Sequence, residues 1–147
     1  MLKDRLNQDI KTALLAGDKF KAEVLKSIKS AILYEEVAQK VRDTGLNDEQ
    51  IQTVMAREAK KRAESADMYK KGGAEDRAAT ELQEKAIIEE YLPKQLSDED
   101  LQKIVNDVFA AAPDIQMGPA IGAVRAKVGT SADGSRIAAL VKAKIQG

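Results

Sequence analysis

The residues from 117 to 147, MGPAIGAVRAKVGTSADGSRIAALVKAKIQG, hold five of the nine glycines of the chain and one of its three prolines. Pro119 suits the first turn of a helix, because a first-turn residue has no intrahelical partner for its N–H in any case. Gly129 predicts the end of that helix, and Asp133 is a candidate N-cap for a last one. The last helix carries apolar residues at helical spacing: Ile137, Leu140, Val141 and Ile145. The stretch therefore predicts two helices joined by a glycine-bearing turn.

The rest of the chain has the 3.6-residue apolar period of helices and no alternating strand pattern. Five more helices are expected, near residues 2–16, 18–41, 48–71 and 74–91, and from about 98 up to Pro113. Their predicted inward faces include Phe20 and Leu82, and Pro93 separates the fourth helix from the fifth. The predicted fold class is all-α, with an N-terminal bundle of about four helices in residues 1–95 and a C-terminal three-helix unit in residues 96–147.

Composition excludes several kinds of site. The chain has 24 basic and 24 acidic residues, and it has neither Cys nor His. Thiol catalysis, disulfides, soft-ligand metal sites and an imidazole base are therefore excluded. No Gly-Lys pair is present for a P-loop and no strand precedes the glycines, so we expect no cofactor. The start of the chain is too acidic for a signal peptide and no apolar run reaches membrane length, so we expect a cytoplasmic protein with no membrane contact.

Positive charge is concentrated at the C-terminal end. Residues 116–147 carry five basic side chains and one acid, a net charge of +4 in a chain that sums to zero. The candidate nucleic-acid-binding residues are Arg125, Lys127, Arg136, Lys142 and Lys144. Gly129 and Gly134 are expected to shape the turn, where backbone N–H groups and arginines could meet phosphates. A solvated helical surface explains the same charges equally well, and scattered aromatic residues do not favour base stacking.

Two further glycines allow two interpretations. Gly118 and Gly122 lie one helical turn apart, and the favoured explanation is that they permit close packing of one helix on another. The alternative is that an external backbone, such as a nucleic-acid phosphate backbone, approaches them. A helix-turn-helix that reads DNA is a weak match to the last two helices, and we expect no DNA partner.

Residues 91–101, YLPKQLSDEDL, followed by the quoted C-terminal stretch, resemble the YqeY family, which is named for its GatB/YqeY motif. The positions that carry the motif are Gly118, Gly122, Val124, Lys127, Gly129, Asp133, Gly134 and Leu140. A similar helical unit forms the tail of the B subunit of the glutamine-dependent Asp/Glu-tRNA amidotransferase, where it helps to engage tRNA. The resemblance implies an accessory module associated with tRNA, or with an amidotransferase or aminoacyl-tRNA synthetase.

Two alternatives to this function stay open. One is a protein-interaction module that binds no RNA, and its mark would be an exposed apolar patch rather than a basic one. The other is the family-level label of a carbon–nitrogen ligase that uses glutamine as amido-N-donor. No catalytic centre is visible in the sequence, so whether the protein is an enzyme is left open.

Overall fold

The computed structural model describes residues 1–147 and contains seven α-helices and no strand, which confirms the all-α prediction. A single 3₁₀ turn, Gly129–Ser131, lies between the last two helices. No helix has the length and the apolar character needed to cross a membrane. The helices are α1 Leu2–Leu15, α2 Lys19–Ala38, α3 Asp48–Lys71, α4 Glu75–Glu89, α5 Asp98–Ala111, α6 Met117–Val128 and α7 Gly134–Gln146.

Polar side chains begin four of these helices by accepting backbone N–H groups that have no partner inside the helix. Asp18 accepts from the N–H of Lys21 at 3.1 Å, and Asp133 accepts from Ser135 at 3.0 Å. Ser97 accepts from the N–H three residues on, at 3.1 Å, at the start of α5. Asn47 and the residue three positions on form a reciprocal capping box at the start of α3. The cap predicted at Asp133 is confirmed.

The end of α2 lies three residues earlier than the periodicity predicts. Lys40 is the only non-glycine residue with a positive φ, at 59°. The N–H of Val41 donates to the carbonyl of Glu36 at 2.9 Å, and the N–H of Lys40 donates to that of Val37 at 3.1 Å. These two bonds are a Schellman motif, which stops the helix at Ala38. Glycine is the residue preferred at the left-handed position, and lysine costs about 1 kcal/mol more there.

Met1–Leu92 forms one compact unit, which contains α1 to α4. Leu25, Met55 and Ile88 are among the side chains fully buried in its core. α3 and α4 are joined at Gly72–Gly73 and pack on each other. The inward predictions for Phe20 and Leu82 are wrong, because these side chains are 40% and 39% exposed.

One carboxylate, Glu36, is buried in this unit. It accepts from the Lys3 ammonium and from the N–H of Leu46 at 2.9 Å. The hydrogen bond from Lys3 is the main reason that the pKa of Glu36 lies below its ordinary value, and the bond from Leu46 lowers it further. A lowered pKa in the folded state means that ionised Glu36 stabilises the fold above its unfolded-state pKa. This contribution is lost as the pH falls through the lowered value.

Tyr91 anchors the end of the N-terminal unit to α1. Its buried hydroxyl donates to Asp9, and the guanidinium of Arg5 lies 4.4 Å from the centre of its ring. Burial raises the pKa of Tyr91 well above its ordinary value, and the hydrogen bond to Asp9 raises it further. Tyr91 therefore stays a neutral donor, and it holds the residues before Pro93 against the first helix.

Pro93–Gly147 forms the second unit, which contains α5 to α7. Val105, Val124 and Ile137 are fully buried and share one apolar cluster. This cluster has no member in common with the core of the N-terminal unit. Ile145, which the periodicity places inward, is 48% exposed because it lies in the last turn of α7, beyond the core.

Candidate nucleic-acid interface

Arg125 closes the turn between α6 and α7. One of its guanidinium nitrogens donates to the carbonyl of Gly129 at 2.9 Å and to that of Ala132 at 3.2 Å. Both acceptors follow the end of α6, where carbonyl groups lack intrahelical partners. Arg125 therefore has a positioning role that its charge alone did not reveal.

The two glycines expected to shape this turn act in different ways. Gly129 has φ 56° and ψ −126°, a conformation that an L side chain rarely adopts. A Cβ at Gly134 would lie 2.8 Å from a guanidinium nitrogen of Arg125. Gly129 is thus required by backbone conformation, whereas Gly134 leaves room for the arginine. The structure brings Arg125, Gly129 and Gly134 together.

Arg136 connects the start of α7 to the start of α5. Its guanidinium donates to the carbonyl of Leu96 at 2.7 Å and to a carboxylate oxygen of Asp98 at 2.8 Å. Its side chain is 31% exposed, so part of the group still faces water.

The residues just before α5 also bind the α6–α7 turn directly. The side-chain amide of Gln95 donates to the carbonyl of Thr130 at 2.9 Å, and the N–H of Leu96 donates to that of Ser131 at 2.8 Å. Sequence reasoning missed these contacts. No periodicity or motif relates residues this far apart in the chain.

Lys127, Lys142 and Lys144 differ from the two arginines. All three are exposed, and none makes a hydrogen bond or an ion pair within the chain. Lys127 lies in the last turn of α6, and the other two lie near the end of α7. Lys142 is six residues after Arg136, or about 9 Å along the helix. The five basic residues are therefore spread along α6 and α7, with the arginines at the turn.

Lys144 also borders an open groove of about 600 Å³. The groove lies between the end of α5, the segment after it and the end of α7. Its apolar lining includes Phe109, Ile115 and Ile145, and Asn106 and Gln116 add amide groups. Lys144 and the acid Asp114 both line this groove, but they do not form an ion pair.

The helix-packing explanation for Gly118 and Gly122 is wrong. A Cβ added at either residue would meet no atom within 4 Å, and both residues are exposed. Together with Arg125 and Gly129 they follow one line along α6, at spacings of four, three and four residues. This line is open to solvent. Lys127 lies roughly 140° around the helix from Gly122, at 100° per residue.

Alanine substitutions distinguish these glycines. We expect Gly129→Ala to lower the free energy of unfolding by about 2 kcal/mol, because its φ and ψ are strained for an L residue. Gly122→Ala is expected to raise the free energy of unfolding by about 0.5 to 1 kcal/mol, because alanine reduces backbone entropy in the unfolded chain and meets no clash. Urea denaturation of both variants measures these effects. Destabilisation by Gly122→Ala would show that something packs against that residue.

No group of three or more Asp, Glu, Cys or His side chains is placed to hold a metal ion. The features described define an all-helical protein of two compact units, the second of which carries exposed lysines without partners, Lys127, Lys142 and Lys144 among them, and a turn closed by arginine. The chain belongs to the YqeY family, because the family model described as Yqey-like protein matches residues 3–145. No curated protein matches the chain.

Proposed function

We propose that the C-terminal unit of this YqeY-family protein contacts tRNA, either free or carried on an amidotransferase or aminoacyl-tRNA synthetase. The observation that carries the proposal is the set of three exposed lysines without partners, Lys127, Lys142 and Lys144. They lie in a stretch of 32 residues with a net charge of +4. Cations without an internal partner are available to phosphates, which dominate the affinity of proteins for nucleic acids.

The five basic residues divide into two roles in this proposal. The lysines contact phosphates as mobile point charges. Arg125 and Arg136 fix the turn and the start of α7 through carbonyl oxygens, so they position the surface. Their remaining N–H groups can add contacts without the loss of these bonds, because a guanidinium has five donors.

The open face of α6 gives independent support. Gly118 and Gly122 serve no packing contact within the chain, so close approach of an external backbone explains them better than helix packing does. A glycine surface lets a phosphate backbone lie near the helix without a Cβ in between. We propose that the unit is of the same type as the tail of the amidotransferase B subunit, and the motif positions that the two share support this relation.

A salt titration tests the proposal. Binding of total bacterial tRNA is measured by fluorescence anisotropy between low and physiological salt. We expect log K to fall linearly with log salt, with a slope of about −3 for three phosphate contacts. Absence of binding at low salt, or a slope near zero, would contradict phosphate contact by these lysines.

A further inference from the structure

An exposed apolar surface lies on the second half of α2. Leu33, Tyr34 and Val37 are 46%, 76% and 55% exposed, and their spacing places them on one face of the helix. The opposite face of α2 supplies Leu25, Ile28 and Ile32 to the core. We call the three exposed residues the α2 stripe. It belongs to the N-terminal unit and contains none of the residues of the proposed tRNA surface.

Positive charges without partners border the α2 stripe. Lys29 precedes it by one turn, and Lys40 and Arg42 follow it. All three are exposed, and none makes a hydrogen bond or an ion pair within the chain. The exposed acid Asp43 follows Arg42, so this border carries a net charge of +2.

The acids of α2 cannot neutralise this border, because each is engaged elsewhere. Glu35 accepts from the amide of Gln39 at 2.7 Å and lies 3.4 Å from Arg57 on α3. Glu36 is buried and pairs with the ammonium of Lys3, and Glu23 lies 3.8 Å from the ammonium of Lys26. The cations around the α2 stripe therefore have no counter-charge on this helix.

The conformation of Lys40 is a second observation at the same place. It occupies the left-handed position that ends α2, where glycine would be less strained. The exposed lysine therefore lies just beyond the last turn of the helix, three residues after Val37. Because lysine is strained in this backbone conformation, the side chain of Lys40 is a candidate for a role outside the fold.

We propose that the α2 stripe docks an acidic amphipathic helix of a partner protein. The partner's apolar residues, at helical spacing, would cover Leu33, Tyr34 and Val37. Its acids would face Lys29 at one end and Lys40 with Arg42 at the other. Those two ends are about 15 Å apart along α2, which corresponds to about three turns of the partner helix.

Charge argues against a second copy of this chain as the occupant. Two antiparallel copies of α2 that met at the stripe would place Lys29 of each copy near Lys40 of the other. Like charges in opposition are unfavourable. A membrane surface is also a poor occupant, because three side chains over about one turn bury little apolar area compared with an interfacial helix.

A peptide selection tests the docking proposal and needs no identified partner. The immobilised full chain is incubated with a displayed library of 16-residue helical peptides. These peptides have Leu fixed at positions i, i+3, i+4 and i+7. The outer positions are randomised between Glu and Lys. We expect enrichment of peptides with Glu at both ends of the apolar face. Enrichment of Lys, no charge bias or no enrichment at all would overturn the proposal.

Two matched variants locate the docking surface. Leu33→Glu with Val37→Glu should weaken binding of an enriched peptide at least tenfold. Leu14→Glu with Leu15→Glu adds the same charge at exposed leucines near the other end of α2, and it should bind as the parent chain does. Circular dichroism checks that both variants keep their helices. Equal binding by the two variants, or loss of binding only at Leu14 and Leu15, would contradict docking on the α2 stripe.

Discussion

Ile137→Ala is expected to unfold the C-terminal unit and to leave the N-terminal unit folded. Ile137 is 0% exposed at the centre of a small apolar cluster. Truncation of a buried isoleucine to alanine costs about 2 to 5 kcal/mol. A unit of about 55 residues draws only about 3 to 5 kcal/mol of stability from its core, so the loss removes most or all of it.

Spectroscopy can follow the two units separately. The three tyrosines, Tyr34, Tyr69 and Tyr91, all lie in the N-terminal unit, and the chain has no tryptophan. Tyrosine fluorescence therefore reports that unit, whereas far-ultraviolet circular dichroism reports both. Ile137→Ala should lose about a third of the helical signal, the share of α5 to α7, while the urea midpoint of tyrosine fluorescence is unchanged.

The matched substitution Ile28→Ala is expected to destabilise the N-terminal unit instead of the C-terminal one. Ile28 is 1% exposed in the core of the N-terminal unit, and its truncation should shift the tyrosine transition to lower urea. The three C-terminal helices have no core residue in common with it. Simultaneous loss of both signals in Ile137→Ala would show that the two cores unfold as one, against the expectation of independent units.

The second large effect is expected from the triple variant Lys127→Ala, Lys142→Ala and Lys144→Ala. It should bind tRNA about 100-fold more weakly at low salt, at about 1 kcal/mol for each exposed lysine–phosphate contact. The slope of log K against log salt should be less steep by about three, because each lysine that contacts a phosphate contributes about one to its magnitude. No helix should be lost, because these lysines make no hydrogen bond or ion pair within the fold.

Three lysines of the N-terminal unit supply the control for this variant. Lys11, Lys70 and Lys71 are exposed and make no hydrogen bond or ion pair, so their replacement by Ala changes the net charge equally. We expect this control to bind tRNA within about twofold of the parent chain, because these lysines lie outside the unit that carries the proposed contact. Equal loss in both triple variants would mean that overall charge, and not the C-terminal surface, determines binding.

The helices were predictable because apolar spacing and capping residues are local signals. The bounds of α3 agree with the prediction, since Asp48 begins it and Gly72 follows its last residue. The exposure of helix ends was not predictable: Phe20, in the first turn of α2, and Ile145, in the last turn of α7, are 40% and 48% exposed. Periodicity gives the face of a helix, but it does not give how far the adjacent helix extends.

The candidate site was predictable in composition and only partly in geometry. The excess of positive charge identified the basic residues, but it could not separate paired from unpaired groups. Arg136 binds the carbonyl of Leu96, 40 residues earlier, and a carbonyl leaves no mark in the sequence. The glycine spacing predicts packing at Gly122, but the structure shows an open face there. A glycine pattern does not show which surface it meets.

The most direct measurement of the proposed function is a lysine footprint on the intact chain with and without tRNA. Exposed amines are acetylated briefly at low salt, and the modified positions are quantified by mass spectrometry. Contact through the C-terminal unit predicts protection of Lys127, Lys142 and Lys144 by tRNA, while Lys11, Lys70 and Lys71 react as in the free protein. Protection of the N-terminal lysines alone, or no protection where tRNA is bound, would contradict it.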